Sequence, residues 1–105
     1  MSRIAYVNGQ YVRHADAAVH VEDRGYQFAD GVYEVCEVWQ GKIVDMPRHL
    51  DRLGRSLGEL RIDWPMARSA MEFVLQQVIR RNRVRNGLVY IQVTRGVSKR
   101  DHFFP

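Results

Sequence analysis

The chain of 105 residues has a single cysteine, Cys36, so no intramolecular disulfide can form, and this fits a reducing compartment. Lysine is nearly as scarce. Of 16 Lys and Arg residues only Lys42 and Lys99 are lysines, so the net charge of +4 rests on arginine. No apolar run approaches the ~20 residues that cross a bilayer, and Met1-Ser2-Arg3-Ile4-Ala5 lacks the apolar core of a signal peptide. The expected location is the cytoplasm, with no membrane partner. His14, His20, His49 and His102 make no ligand-spaced pair and have no cysteine companion, so no metal site is expected. There is no phosphate-cradling glycine loop of the Walker or dinucleotide type, and no serine sits in an elbow motif.

What remains is a globular composition, 46% hydrophobic and 27% charged, in a length that fits one small domain. So short a domain buries a small share of its surface, which makes help from a second domain or subunit plausible. The runs 4–7 and 10–12 flank Asn8-Gly9, a strong hairpin signal because a type I′ turn needs two residues that tolerate positive φ. A further short strand is expected over 18–21, and a polar loop carrying Tyr26 and Phe28 over 22–31. Residues 32–39 read as a strand turned by Gln40-Gly41, with a return over 42–45. The period then changes. Leu50, Leu53, Leu57 and Leu60 form one stripe of an amphipathic helix, with Asp45 as N-cap and Pro47 in the first turn. A second helix is expected from Asp63 or Trp64, carrying Met71, Val74, Leu75, Val78 and Ile79 inward and ending in the run Arg80, Arg81, Arg83 and Arg85. Residues 88–94 read as a central, buried strand. The fold class is α+β, a partly antiparallel sheet covered by two helices.

Three clusters hold groups capable of chemistry. The first is Glu22-Asp23-Arg24-Gly25-Tyr26-Gln27-Phe28-Ala29-Asp30-Gly31-Val32-Tyr33-Glu34, by itself a structured loop feeding a strand. The second is Arg48-His49-Leu50-Asp51-Arg52-Leu53, where Arg52 lies beside the leucine stripe and can reach inward over a sheet edge. The third runs from Thr94 to His102. In an extended loop Arg100 and His102, two apart, point the same way. Together they can clamp a carboxylate; the plain alternative is a solvated basic tail. Cys36, mid-strand, reads as a small core residue. The chain stops at Phe103-Phe104-Pro105, which reads as a cut at a linker with more protein expected beyond.

The stretch 22–38, with His49-Leu50-Asp51-Arg52-Leu53 and Val93-Thr94-Arg95-Gly96, resembles the N-terminal domain of class IV aminotransferases, the fold-type IV pyridoxal-phosphate enzymes. The branch resembled is D-amino-acid transaminase, and the likeness covers essentially all of 1–105, in order and with matching spacing. It implies that Arg52 holds the cofactor phosphate, a role suited to two parallel N–H bonds; the plain alternative is an ion pair with Asp51 or Glu59. It implies that Tyr33 lies on the substrate side of the cofactor, with Val35 on the same face; otherwise Tyr33 is a core aromatic. It implies that Arg100 and His102 trap the substrate carboxylate, reaching into the partner subunit of a homodimer. The family's catalytic lysine belongs to a C-terminal domain, and neither Lys42 nor Lys99 matches it. No catalytic residue is therefore assigned within 1–105, and this chain alone is expected to be inactive. The implied reaction of an intact protein exchanges an amino group between a D-amino acid and a 2-oxo acid, such as D-alanine and 2-oxoglutarate. The rivals are other class IV activities (branched-chain or amine transamination, aminodeoxychorismate lyase chemistry), a basic module binding an anionic polymer, and a fragment that only folds or dimerises. No aromatics interleave with the arginine run, which argues against nucleic-acid binding, and no nucleic-acid partner is expected.

Overall fold

Asn8 and Gly9 both take positive φ, 48° and 90°, and close β1 (Ile4–Val7) onto β2 (Gln10–Arg13) as an antiparallel hairpin. A computed structural model describes residues 3–97 of the chain. The expected strand over 18–21 is not formed. A short 3₁₀ turn over His14–Asp16 leads instead into irregular chain. The expected loop over 22–31 contains a short helix, α1 (Arg24–Phe28), capped by the Asp23 side chain, which accepts from the Gly25 N–H.

The main sheet has the order β4-β3-β5, all antiparallel, from β3 (Gly31–Trp39), β4 (Lys42–Ile43) and β5 (Gly87–Thr94). Gln40 and Gly41, again both at positive φ, make the tight turn into β4. β3 is the central strand. β5 lies at the edge among the described residues, and its side chains alternate between buried and exposed, which corrects the expectation of a central, buried strand. Its β-branched residues Val89, Ile91 and Val93 fill one face only, and the pleat sends Leu88, Tyr90 and Gln92 to the other.

Helices α2 (Met46–Leu60) and α3 (Arg68–Arg81) cover the inner face. Leu50, Leu53 and Leu57 of α2 and Met71, Leu75 and Ile79 of α3 close over Cys36, Val38, Val89, Ile91 and Val93. Cys36 is a core residue, as its place in the strand indicated. Asp45 stands at the N-cap of α2 but in the left-handed conformation, and its side chain makes no capping bond. α3 starts at Arg68, four to five residues later than the expected start at Asp63 or Trp64, because residues 61–67 form an irregular connection that packs Ile62, Trp64 and Met66 onto the core. Of the arginine run, Arg80 and Arg81 sit in the last turn of α3, where cations complement the helix dipole, and Arg81 stacks over the Tyr11 ring. Asn82 then ties the hairpin to the helix end, accepting from the Ile4 N–H and donating to the Ile4 carbonyl. No described helix is long and apolar enough to cross a membrane.

Candidate functional site

Period-two alternation along β3 decides which groups can meet. Val32, Glu34, Cys36 and Val38 face the helices; Tyr33, Val35, Glu37 and Trp39 face away from them. Glu34 is therefore a carboxylate on the core side of a strand, 5% exposed. A buried charge is costly unless paired, and α2 supplies two partners. Arg52 donates from Nε to Glu34 Oε2 at 2.8 Å and from Nη2 to Oε1 at 2.9 Å. His49 Nδ1 lies 2.7 Å from Oε1 and must carry the proton it shares with a carboxylate oxygen. Because both partners favour the ionised form, chiefly Arg52 through its hydrogen bonds, the Glu34 carboxyl is held below its ordinary value despite burial. The Arg52 guanidinium is pushed up in turn by Glu34.

Arg52 thus pairs with Glu34, across from the helix, and not with Asp51 or Glu59. Its side chain remains 59% exposed. The Glu34 pair occupies the Nε/Nη2 edge of the guanidinium, so among the described residues the adjacent Nη1/Nη2 edge is left for a second two-oxygen acceptor.

Tyr33 stands on the opposite face of the sheet, 64% exposed, and so is not the core aromatic of the plain alternative. Its ring stacks on that of Tyr90, with centroids 5.8 Å apart and planes at 20°. Beside it is an open depression of about 260 Å³ whose lining includes Gly25, Ala29, Gly31, Tyr90 and Gln92. Val35 shares this face. Tyr33 and Arg52 are therefore separated by the strand itself. β4 pairs only with Val38 and Trp39, so among the described residues β3 has no strand neighbour on that side from Gly31 to Glu37. The Glu37 carbonyl accepts from Val44 N–H on this side, and by alternation the backbone groups of Tyr33 and Val35 point to the same edge. A ligand that touched both Tyr33 and Arg52 would lie across it.

A second charged network fixes the end of the sheet next to this edge. Asp30, 8% exposed, accepts from Arg24 Nε at 2.8 Å and from Arg95 Nε at 2.7 Å. Burial alone would raise the Asp30 carboxyl, but Arg95 and Arg24 outweigh it and hold it below its ordinary value. Arg95 also donates to the Leu60 and Arg61 carbonyls, which caps α2. The backbone of α1 and the turn after it is stitched to the residues that follow β5 through Arg24 N–H to Gly96 O and Arg95 N–H to Asp30 O. Gly31 permits the close approach, since a Cβ there would lie 2.8 Å from Val93 O.

Arg100 and His102 lie outside the described residues, as does Lys99. Sequence reasoning gave no role to Glu34, His49 or Asp30. The signal was present for Glu34, since an acid between Val32 and Cys36 at the same parity must be buried and needs a cation. No such parity marks Asp30, which lies in a turn. Among the described residues no group of three or more His, Cys, Asp and Glu side chains is placed to hold a metal ion.

A family model described as amino-transferase class IV matches residues 31–105. A D-alanine aminotransferase of Staphylococcus haemolyticus is 37% identical over 100 residues, covering 95% of this chain and 36% of that protein. One from Listeria innocua is 42% identical over 100 residues, covering 94% of this chain and 35% of that protein. Among solved structures, a T.th. branched-chain amino acid aminotransferase complexed with N-(5'-phosphopyridoxyl)-L-glutamate superposes with a TM-score of 0.85 at 21% identity, covering 94% of this chain and 35% of that one. The chain thus spans little more than a third of the length of the curated relatives it matches.

Proposed function

The chain belongs to the class IV aminotransferase family, and on that premise we propose that it forms the N-terminal domain of a pyridoxal-phosphate enzyme that moves an amino group between a D-amino acid and a 2-oxo acid. D-Alanine and 2-oxoglutarate are the pair we infer, because relatives at 37–42% identity are D-alanine aminotransferases. The observation that carries the reading is the Arg52 guanidinium, held through one edge by Glu34 on a side chain that is still 59% exposed. That donor set fits a phosphate dianion, which takes two parallel N–H bonds from a guanidinium.

When bound, the cofactor supplies an aldehyde that takes up the substrate's amino group and draws electrons from its Cα. The residues of this chain bind and orient. Arg52 anchors the phosphate at the open edge of β3. Tyr33 presents its hydroxyl on the substrate side, its ring held by stacking on Tyr90. Arg100 and His102, two residues apart, grip the substrate carboxylate from the partner subunit of a homodimer, and the position of that grip sets which face of Cα is presented. The lysine that moves the proton is assigned to the part of the relatives' length that 1–105 does not span. Lys42, exposed on the short strand β4, and Lys99 do not match the family's lysine position, and on this reading the domain by itself is inactive.

The location that goes with this reading is the cytoplasm, and the test uses a longer protein carrying this domain, with D- or L-alanine and 2-oxoglutarate. Pyruvate release from D-alanine is expected, and turnover of L-amino acids alone would overturn the D-branch assignment. Arg52→Ala is expected to raise the Kd for pyridoxal phosphate by about tenfold or more, the loss of a charge-assisted bidentate contact. An unchanged Kd would remove Arg52 from the phosphate site.

A further inference from the structure

On the inner face of β3, Glu34 is the one acidic residue among Val32, Cys36 and Val38. If packing were all that mattered, an apolar side chain would serve there without the desolvation cost of a buried carboxylate. The position instead holds both Glu34 oxygens on cations or N–H groups of one helix. His49 and Arg52 are three apart on α2, hence neighbours on its surface, and they close on the same carboxylate from that helix. Oε1 is shared by His49 and Arg52 while Oε2 takes Arg52 Nε, so the carboxylate cannot turn without breaking a bond.

A guanidinium has five N–H donors in one plane. Glu34 uses two of them, along the Nε/Nη2 edge. The remaining Nη2–H and the two Nη1–H groups are fixed in direction as a result, on a side chain that is 59% exposed. We propose that Glu34, backed by His49, is a positioning residue that aims the outer edge of Arg52 at the cofactor phosphate before the cofactor arrives. The inference rests on the reading of Arg52 as phosphate ligand. Its physical basis is preorganisation. An arginine left free on a helix surface must be ordered when the phosphate binds, whereas one held by a buried carboxylate is ordered already.

The Glu34 charge offsets that of Arg52, so a carboxylate that merely competed for the guanidinium would weaken phosphate binding, and its removal would tighten it. A positioning carboxylate does the reverse. In the longer protein, equilibrium binding is measured for two probes, pyridoxal 5'-phosphate and pyridoxal, with thermal melting as a check on the fold. Glu34→Gln cannot accept two parallel N–H bonds on one edge. It is expected to raise the Kd for pyridoxal phosphate about tenfold, as loss of a residue that orients a ligand group does, and to leave that for pyridoxal unchanged. Glu34→Asp keeps the charge but withdraws it by one methylene. It is expected to give a smaller loss of the same kind, and it carries the test if the glutamine variant does not fold. In an Arg52→Ala background Glu34→Gln should cost nothing further.

The inference is overturned if Glu34→Gln leaves phosphate-selective affinity intact or improves it. It is also overturned if both probes weaken equally, or if the loss persists without Arg52. Should Arg52→Ala itself leave the preference for the phosphorylated probe unchanged, the failure lies in the phosphate-ligand reading. A selective loss in Arg52→Ala with none in either Glu34 variant sinks the positioning role alone.

Discussion

At the scale of single residues, environment sets the chemistry each group performs. Cys36 is 1% exposed, and burial followed by the nearby Glu34 charge pushes its thiol up to about 11. The thiolate is the reactive form, so Cys36 is expected to resist alkylation at neutral pH in the folded protein and to react fully once denatured. Rapid labelling of the native chain by iodoacetamide would contradict its place in the core. Glu34, two positions earlier and on the same face, is the opposite case, a buried group kept charged because α2 brings it a guanidinium and an imidazole.

Among the elements, α2 does most to join core and site. Leu50, Leu53 and Leu57 are fully buried under it while Arg52, beside them, reaches Glu34 on β3 with its side chain still half exposed. Leu53→Ala is expected to lower stability by about 2–5 kcal/mol through the cavity it leaves, measurable by urea denaturation, and to loosen the Arg52–Glu34 alignment with it. The helix start behaves differently from a capped one. Asp45 makes no side-chain capping bond and holds φ at 55°, so Asp45→Gly is expected to be neutral or stabilising, where removal of a working cap costs about 1 kcal/mol. A loss of that size on melting would mean that the side chain caps the helix in solution. Gly31, at the start of β3, should not tolerate alanine, since the new Cβ meets backbone atoms of Val93 and Thr94; a lower melting temperature is the expected readout.

For the whole molecule, two buried carboxylates paired with arginines join elements distant in sequence. Glu34 ties β3 to α2, and Asp30 ties the α1 turn to Arg95 and so to the end of α2. Both are held below their ordinary values of 4.5 and 3.8. A carboxyl that is more acidic folded than unfolded stabilises the fold fully above its unfolded value, and that stability drains away as pH falls through the folded value. Melting temperature is therefore expected to hold from neutral pH to about pH 5 and to fall steeply below about pH 4. Asp30→Asn and Glu34→Gln, less stable at neutral pH, should each show a shallower fall.

Local signals in the sequence suffice for the elements. Asn8-Gly9 and Gln40-Gly41 dictate tight turns, the leucine spacing dictates the inward face of α2, and the parity of β3 separates Tyr33 from Cys36. The motifs in 22–38, 49–53 and 93–96 suffice to mark the family. Boundaries that depend on packing were not readable. α3 starts late because Ile62, Trp64 and Met66 fill the core from irregular chain, and β5 is an edge strand because nothing described pairs beyond it. The partner of Arg52 was likewise decided only in three dimensions. Asp51 and Glu59 are near it in sequence, but Glu34, 18 residues away, is the buried carboxylate that the fold sets against it. A buried charge must find its counter-charge, and which one it finds depends on how α2 lies against β3, a matter of long-range packing that no local sequence pattern encodes.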